Sequence, residues 1–249
     1  MAVFGILATA RIRLSCLLVF FSSFALSVLP VAAQDGDESF DPRTIVFIGS
    51  SSIDFWKTLP QDFAGEKVIN LGKAGTTYSH LVTHVEEWAA KYPAERYVIY
   101  SGDNDIAWLR SPKKVARQFR EVAETLRAAI PGVHIFVISI KPNLIPTRRV
   151  RIAAVRKANA LISAEVAAIG DATYVDAHTP MLDQNGHPRA ELFRIDGIHI
   201  NEKGYHIWRE VLLPFLDPPT REVVNHITLP HESAILTPQS SSAPRQPLP

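Results

Sequence analysis

The chain has 249 residues, 47% of them hydrophobic and 20% charged, which supports one globular domain with a full core and segments to spare at both ends. Its 26 Lys and Arg against 25 Asp and Glu leave a formal charge of +1, with no basic run, which argues against nucleic acid as a partner.

At the N-terminus, Arg11 and Arg13 precede an apolar run from Leu14 to Leu29, and Val31-Ala32-Ala33 follows as a small-residue cleavage pattern. Residues 1–33 are therefore expected to be an export signal peptide, which places the mature protein in the periplasm or outside the cell. The run is long enough that an uncleaved membrane anchor is the alternative; with the signal removed, no stable membrane span is expected. Cys16, the single cysteine, lies in this segment, so the mature chain would hold no disulfide, thiol nucleophile or cysteine metal site. Arg13, three residues earlier, argues against a lipoprotein-type cysteine. Cleavage after Ala33 removes two arginines and no acid, leaving the charge slightly negative.

After a short linker (34–41), the folded domain is expected over 42–217. Thr44-Ile45-Val46-Phe47-Ile48 is a β-branched apolar run that breaks at Gly49, continues as Ser50-Ser51-Ser52 and returns to apolar residues: a buried strand, a tight turn and a helix start. Lys67 to Gly72 reads as a second strand, followed by a loop containing Gly75. Thr77 or Ser79 is placed to cap a helix with Leu81, Val82, Val85, Trp88 and Ala89 on one face. Arg96 to Ser101 is a third strand, with Gly102-Asp103-Asn104-Asp105 as its exit. Ser111-Pro112 opens a helix by cap and N1 proline, and Pro131-Gly132 stops it.

Val133 to Ile140 is the most continuous strand. A long helix is expected from about Arg148 to Ala168, a short fifth strand over Thr173–Asp176, and a last helix over Gly204–Leu216. Residues 218–249, rich in Pro and Ser, read as a disordered tail. Strands that are apolar runs, alternating with helices, imply a parallel sheet covered on both faces. Ligands in such sheets bind beyond the carboxyl ends of the strands, where the loops of Ser51, Gly75 and Asn104 all emerge.

Ester hydrolysis by serine needs a hydroxyl, an imidazole to take its proton, an acid to orient the imidazole, and donors for the developing oxyanion. Ser51 offers the hydroxyl and His199 the imidazole, with Asp196 three residues before it. The Ser51 and Gly75 N–H groups and the Asn104 amide are candidate oxyanion donors. Each piece alone has a plainer account, as a capped turn, an Asx turn or a flexible glycine. Their joint order at strand ends carries the argument.

On these residues the chain resembles the SGNH hydrolases, the GDSL family of esterases and lipases, in four blocks spread over about 44–216. These are Ile48-Gly49-Ser50-Ser51-Ser52, Asn70-Leu71-Gly72-Lys73-Ala74-Gly75, Gly102-Asp103-Asn104-Asp105 and Asp196-Gly197-Ile198-His199. The resemblance implies a flavodoxin-like three-layer α/β/α sandwich with about five parallel strands and no metal or other cofactor. It implies Ser51 as nucleophile, Gly75 and Asn104 as oxyanion donors, Asp196 as orienting acid and His199 as base. It also implies a small-molecule or glycan ester as substrate, cleaved through an acyl-enzyme. A thioesterase, a deacetylase of cell-envelope sugars and a non-catalytic carbohydrate-binding module on the same fold are the rival readings.

The first block departs from the family's Gly-Asp-Ser: Ser50 stands where an aspartate is common, which leaves Ser50 and Ser52 as alternatives to Ser51. Lys141, after the fourth strand, either reaches the substrate or is a solvated loop lysine. Trp56 and Trp108 either wall a substrate pocket or pack in the core. His80 and His84 are one helical turn apart, a spacing that suits zinc, yet no third ligand is indicated for them or for His206.

Overall fold

The computed structural model describes residues 41–145 and 151–216. The expected signal peptide, nearly all of the linker, the start of the long helix and the tail lie outside the described residues.

Five strands form a wholly parallel sheet in the order β2-β1-β3-β4-β5: β1 (Thr44–Gly49), β2 (Lys67–Gly72), β3 (Arg96–Tyr100), β4 (His134–Ile138) and β5 (Ala172–Val175). Side chains alternate across β1. Val46 and Ile48 join a core shared with α3 (Tyr78–Lys91), α5 (Pro112–Ala129) and α6 (Ile152–Ile169). Ile45 and Phe47 face the opposite core, built with α1 (Ser51–Asp54), α2 (Leu59–Asp62) and α7 (Glu202–Leu216). This is the three-layer α/β/α sandwich that the apolar strand runs imply. Because β1 neighbours β2 on one side and β3 on the other, chain direction across the sheet reverses at β1, which opens a crevice at the carboxyl ends of β1 and β3. One further short helix, α4 (Asp103–Ala107), starts there.

Several boundaries differ from expectation for local reasons. β4 ends at Ile138 rather than Ile140. Beyond it the Asn159 side chain takes over the strand's pairing, accepting from the Ile140 N–H (2.8 Å) and donating to its carbonyl (3.0 Å). α7 begins two residues early because Asn201 Oδ1 accepts from the Lys203 and Gly204 N–H groups. At the head of α3, neither Thr77 nor Ser79 caps. The Tyr78 N–H donates instead to the buried Asp105 carboxylate (3.0 Å), whose pKa burial raises against the opposing pull of that N–H and of Arg110.

Residues 176–201 contain two short 3-10 turns and two isolated bridges, Leu182 with Pro188 and Phe193 with Ile200. Among the described residues no helix is long and apolar enough to cross a membrane.

Candidate functional site

The first strand ends against its neighbours with no room to spare. A Cβ on Gly49 would lie 2.1 Å from the Tyr100 carbonyl oxygen, so only glycine allows β1 and β3 to close up here. The Ser50 N–H then donates to that same carbonyl (3.1 Å), and the Lys73 N–H donates to the Gly49 carbonyl (2.9 Å). Asn70 completes the stitching: its amide donates to the Ile53 carbonyl (2.9 Å), and its oxygen accepts from the Gly72 N–H (2.9 Å). Three loops are thereby drawn to one edge, carrying Ser51, Gly75 and Asn104.

Ser51 starts α1 and is 5% exposed. Its Oγ lies 3.2 Å from His199 Nε2, and His199 Nδ1 lies 2.7 Å from Asp196 Oδ2. These three residues, 148 positions apart at the extremes, form one unbroken chain of hydrogen-bonding atoms. The other Asp196 oxygen accepts from the backbone N–H groups of Ile198 (2.8 Å) and His199 (2.9 Å), an Asx-type turn that swings the imidazole back over its own acid. Desolvation pushes the Asp196 carboxyl up, but the hydrogen bonds from the His199 ring and the two N–H groups outweigh it and bring it down to about 2. The acid is thus ionised throughout the neutral range.

Asn104 donates through Nδ2 to the Thr76 carbonyl (2.8 Å), which fixes its amide beside the Gly75 loop. Gly75 holds φ +77°, and its N–H has no protein acceptor among the described residues.

Asp103 is the residue that reading the sequence missed. Its Oδ1 accepts from the Asn104 N–H (2.9 Å) and from Ser50 Oγ (3.4 Å), while Oδ2 accepts from Lys141 Nζ (2.8 Å). Burial raises the Asp103 pKa, but the Lys141 ammonium and the Asn104 N–H prevail and hold it below the ordinary carboxylate value. The Lys141 side chain is 1% exposed. It is therefore neither a solvated loop lysine nor an open substrate contact, which corrects both expectations.

Trp56 is also corrected. It is 1% exposed, stacks on Tyr205 and meets Phe47, Phe63 and Trp208 edge-on, so it belongs to the core and walls no pocket. Trp108 ends α4 and is 61% exposed, away from the core. Phe55, unmarked in the sequence, packs its ring on His199 (centroids 5.1 Å apart), and the Arg194 guanidinium lies over the Phe55 ring (5.4 Å to its centroid). Beyond Phe55 lies an open cleft of about 480 Å³, lined by Lys57, Thr58, Arg194, Asn201, Lys203 and Tyr205 among others. His80 is tilted against His84, which stacks on Trp88, and no group of three metal-ligating side chains is found among the described residues.

A parallel sheet with a Ser–His–Asp chain of hydrogen-bonding atoms at its switch point is an arrangement suited to a hydrolytic enzyme. Residues 47–207, more than half of the chain, match the GDSL-like Lipase/Acylhydrolase family, and the chain belongs to that family. Similar solved structures include a GDSL-like lipase from Bacteroides thetaiotaomicron (22% identity, 71% of this chain and 88% of that one, TM-score 0.60). A family 3 carbohydrate esterase from Clostridium thermocellum is 18% identical (70% and 96% covered, TM-score 0.53). A variant of an acetyl-xylooligosaccharide esterase from Geobacillus is 13% identical (71% and 95% covered, TM-score 0.61). No curated protein matches in sequence. The fold is shared across these, and the protein is a hydrolase of the GDSL type.

Proposed function

We propose that the protein is a serine ester hydrolase that cleaves small acyl or acetyl esters through an acyl-enzyme. The observation that carries this reading is the continuous Ser51–His199–Asp196 chain, at 3.2 and 2.7 Å. Ser51 Oγ attacks the ester carbonyl as His199 Nε2 takes its proton, and Asp196 holds the imidazole in the tautomer that can accept it. The oxyanion is met by the Ser51 and Gly75 N–H groups and the Asn104 amide. The carbon–alkoxy bond then breaks, the alcohol leaves with the proton from His199, and a water repeats the sequence to free the acid and restore Ser51. Ser51 is favoured over its neighbours because Ser50 Oγ is turned to Asp103 and Ser52 Oγ is buried with no hydrogen-bond partner among the described residues.

An acetylated saccharide is the substrate class that the surroundings favour over a long-chain lipid. The cleft beyond Phe55 is open rather than a closed tunnel, and Lys57, Thr58, Arg194, Asn201 and Glu202 on its wall offer hydrogen-bonding groups to a hydroxylated alcohol portion. Two structural neighbours bear carbohydrate or acetyl-saccharide esterase names. Action on such esters outside the cytoplasm is part of the reading, supported by the Arg11, Arg13 and Leu14–Leu29 pattern.

A chain-length series of nitrophenyl esters run beside acetylated saccharides tests both levels. Turnover that is fastest on acetyl esters and vanishes in Ser51→Ala supports the reading. A long-chain optimum would replace the saccharide with a lipid, and failure to label with a fluorophosphonate probe would favour a non-catalytic binding module.

A further inference from the structure

A buried lysine requires explanation, because an ammonium taken out of water is costly unless it is paired and hydrogen-bonded. Lys141 follows β4, and its Nζ lies 2.8 Å from Asp103 Oδ2 and 5.7 Å from the Tyr100 ring centre. The partner it finds is not an isolated acid. Through Oδ1 the same carboxylate holds the backbone N–H of Asn104 on one side and the hydroxyl of Ser50 on the other. Asn104 carries the oxyanion amide of the proposed mechanism, and Ser50 is the residue immediately before the proposed nucleophile. One carboxylate therefore joins the two loops whose separation sets the distance from nucleophile to oxyanion donor.

Ser50 has a meaning in this arrangement. A second carboxylate at that position would stand within hydrogen-bonding distance of Asp103, with a single ammonium to serve both. A small hydroxyl donates to Asp103 instead. Within the cluster, one negative charge is matched by one positive charge.

We propose that Lys141 is a positioning residue for the hydrolytic site: by seating Asp103 it locks the Ser50–Ser51 turn and the Asn104 oxyanion donor in register. The inference rests on the esterase reading above. It concerns the transition state rather than substrate capture, since oxyanion donors act where charge develops.

The test is kinetic, on nitrophenyl acetate with the full chain. Wild-type turnover and its loss in Ser51→Ala establish the esterase reading independently; without them that reading fails, and this inference with it. Given turnover, Lys141→Met is expected to lower kcat about 10- to 100-fold with KM changed by less than about 3-fold. In an Asn104→Ala background the same change is expected to cost clearly less than in the wild type, because the part that acts through the Asn104 donor is already gone. The paired variant Lys141→Met/Asp103→Asn removes both charges, so no charge is stranded and the thermal midpoint recovers toward wild type; kcat is expected to stay at least about 10-fold low. Recovery of kcat together with stability would show that the pair only supports the fold and would overturn the inference. Fully additive losses in the Asn104→Ala background would overturn it as well.

Discussion

The two banks of Ser51 are built by different means. On one side, Asn104 and Asp103 sit at the end of a central strand, behind a turn at Gly102 and above a buried ion pair with Lys141. On the other, Asp196 and His199 lie in a segment without regular strands, and the Asp196 side chain is 41% exposed. The first bank is held by the sheet and by burial, so its geometry is a property of the whole domain. The second is held by short-range bonds: the Asx-type turn at Asp196, the Arg194 N–H to the His199 carbonyl (2.7 Å), and Phe55 against the imidazole. Rigid donors and a locally sprung base suit the proposed chemistry, since the oxyanion site must be preorganised while the base moves a proton both ways.

Substitutions separate the banks. Ser51→Ala, at their junction, is expected to lower kcat about 10⁴-fold or more with the fold intact, checked by ester turnover beside the thermal midpoint. On the sheet-held bank, Asn104→Ala is expected to lower kcat about 10²- to 10³-fold with KM nearly unchanged; a loss in KM alone would assign Asn104 to substrate binding instead. Gly102 holds φ +110°, and a Cβ there would lie 2.6 Å from Ile140 Cδ1. Gly102→Ala is accordingly expected to destabilise the whole domain by about 1–3 kcal/mol in denaturant unfolding.

The loop-held bank gives the smallest stability effect and a distinctive pH signature. The Asp196 pKa is lowered from 3.8 to about 2, so the stability its charge contributes is fully present above 3.8 and is lost as pH falls through about 2. The thermal midpoint of Asp196→Asn is therefore expected to lie slightly below wild type at pH 5, with the gap closing by pH 2. A gap that persists at pH 2 would mean that the turn itself, rather than the charge, had been lost.

The same contrast explains what could be read from the sequence. β1 and β3 are legible because they are buried on both faces and so appear as unbroken apolar runs, and Ser51 and Asn104 follow from their ends, while Gly75 follows the more exposed β2. Asp196 and His199 were legible only as a motif, since residues 176–201 carry no periodicity that would place them. Lys141 was legible as a residue near the site but not as a buried one, because its partner is 38 positions away. Trp56 misled for the opposite reason. Its position beside the serine turn suggested a pocket wall, while α7, far along the chain, supplies the Tyr205 and Trp208 rings that enclose it. Ser50 took its meaning only once Asp103 was seen next to it.

Arg96, at the opposite end of β3 from the site, has a consequence of another kind. Its guanidinium donates to the Leu216 carbonyl (2.8 Å) at the end of α7 and to the Pro42 carbonyl (3.0 Å) just before β1, and it also pairs with Glu66. One side chain thus gathers the two ends of the described residues at the amino edge of the sheet, while Ser51 lies at the carboxyl edge. Fixed to a solid support through either end, the domain would turn the proposed nucleophile, Ser51, outward, toward the bulk solution and whatever large polymer is offered there.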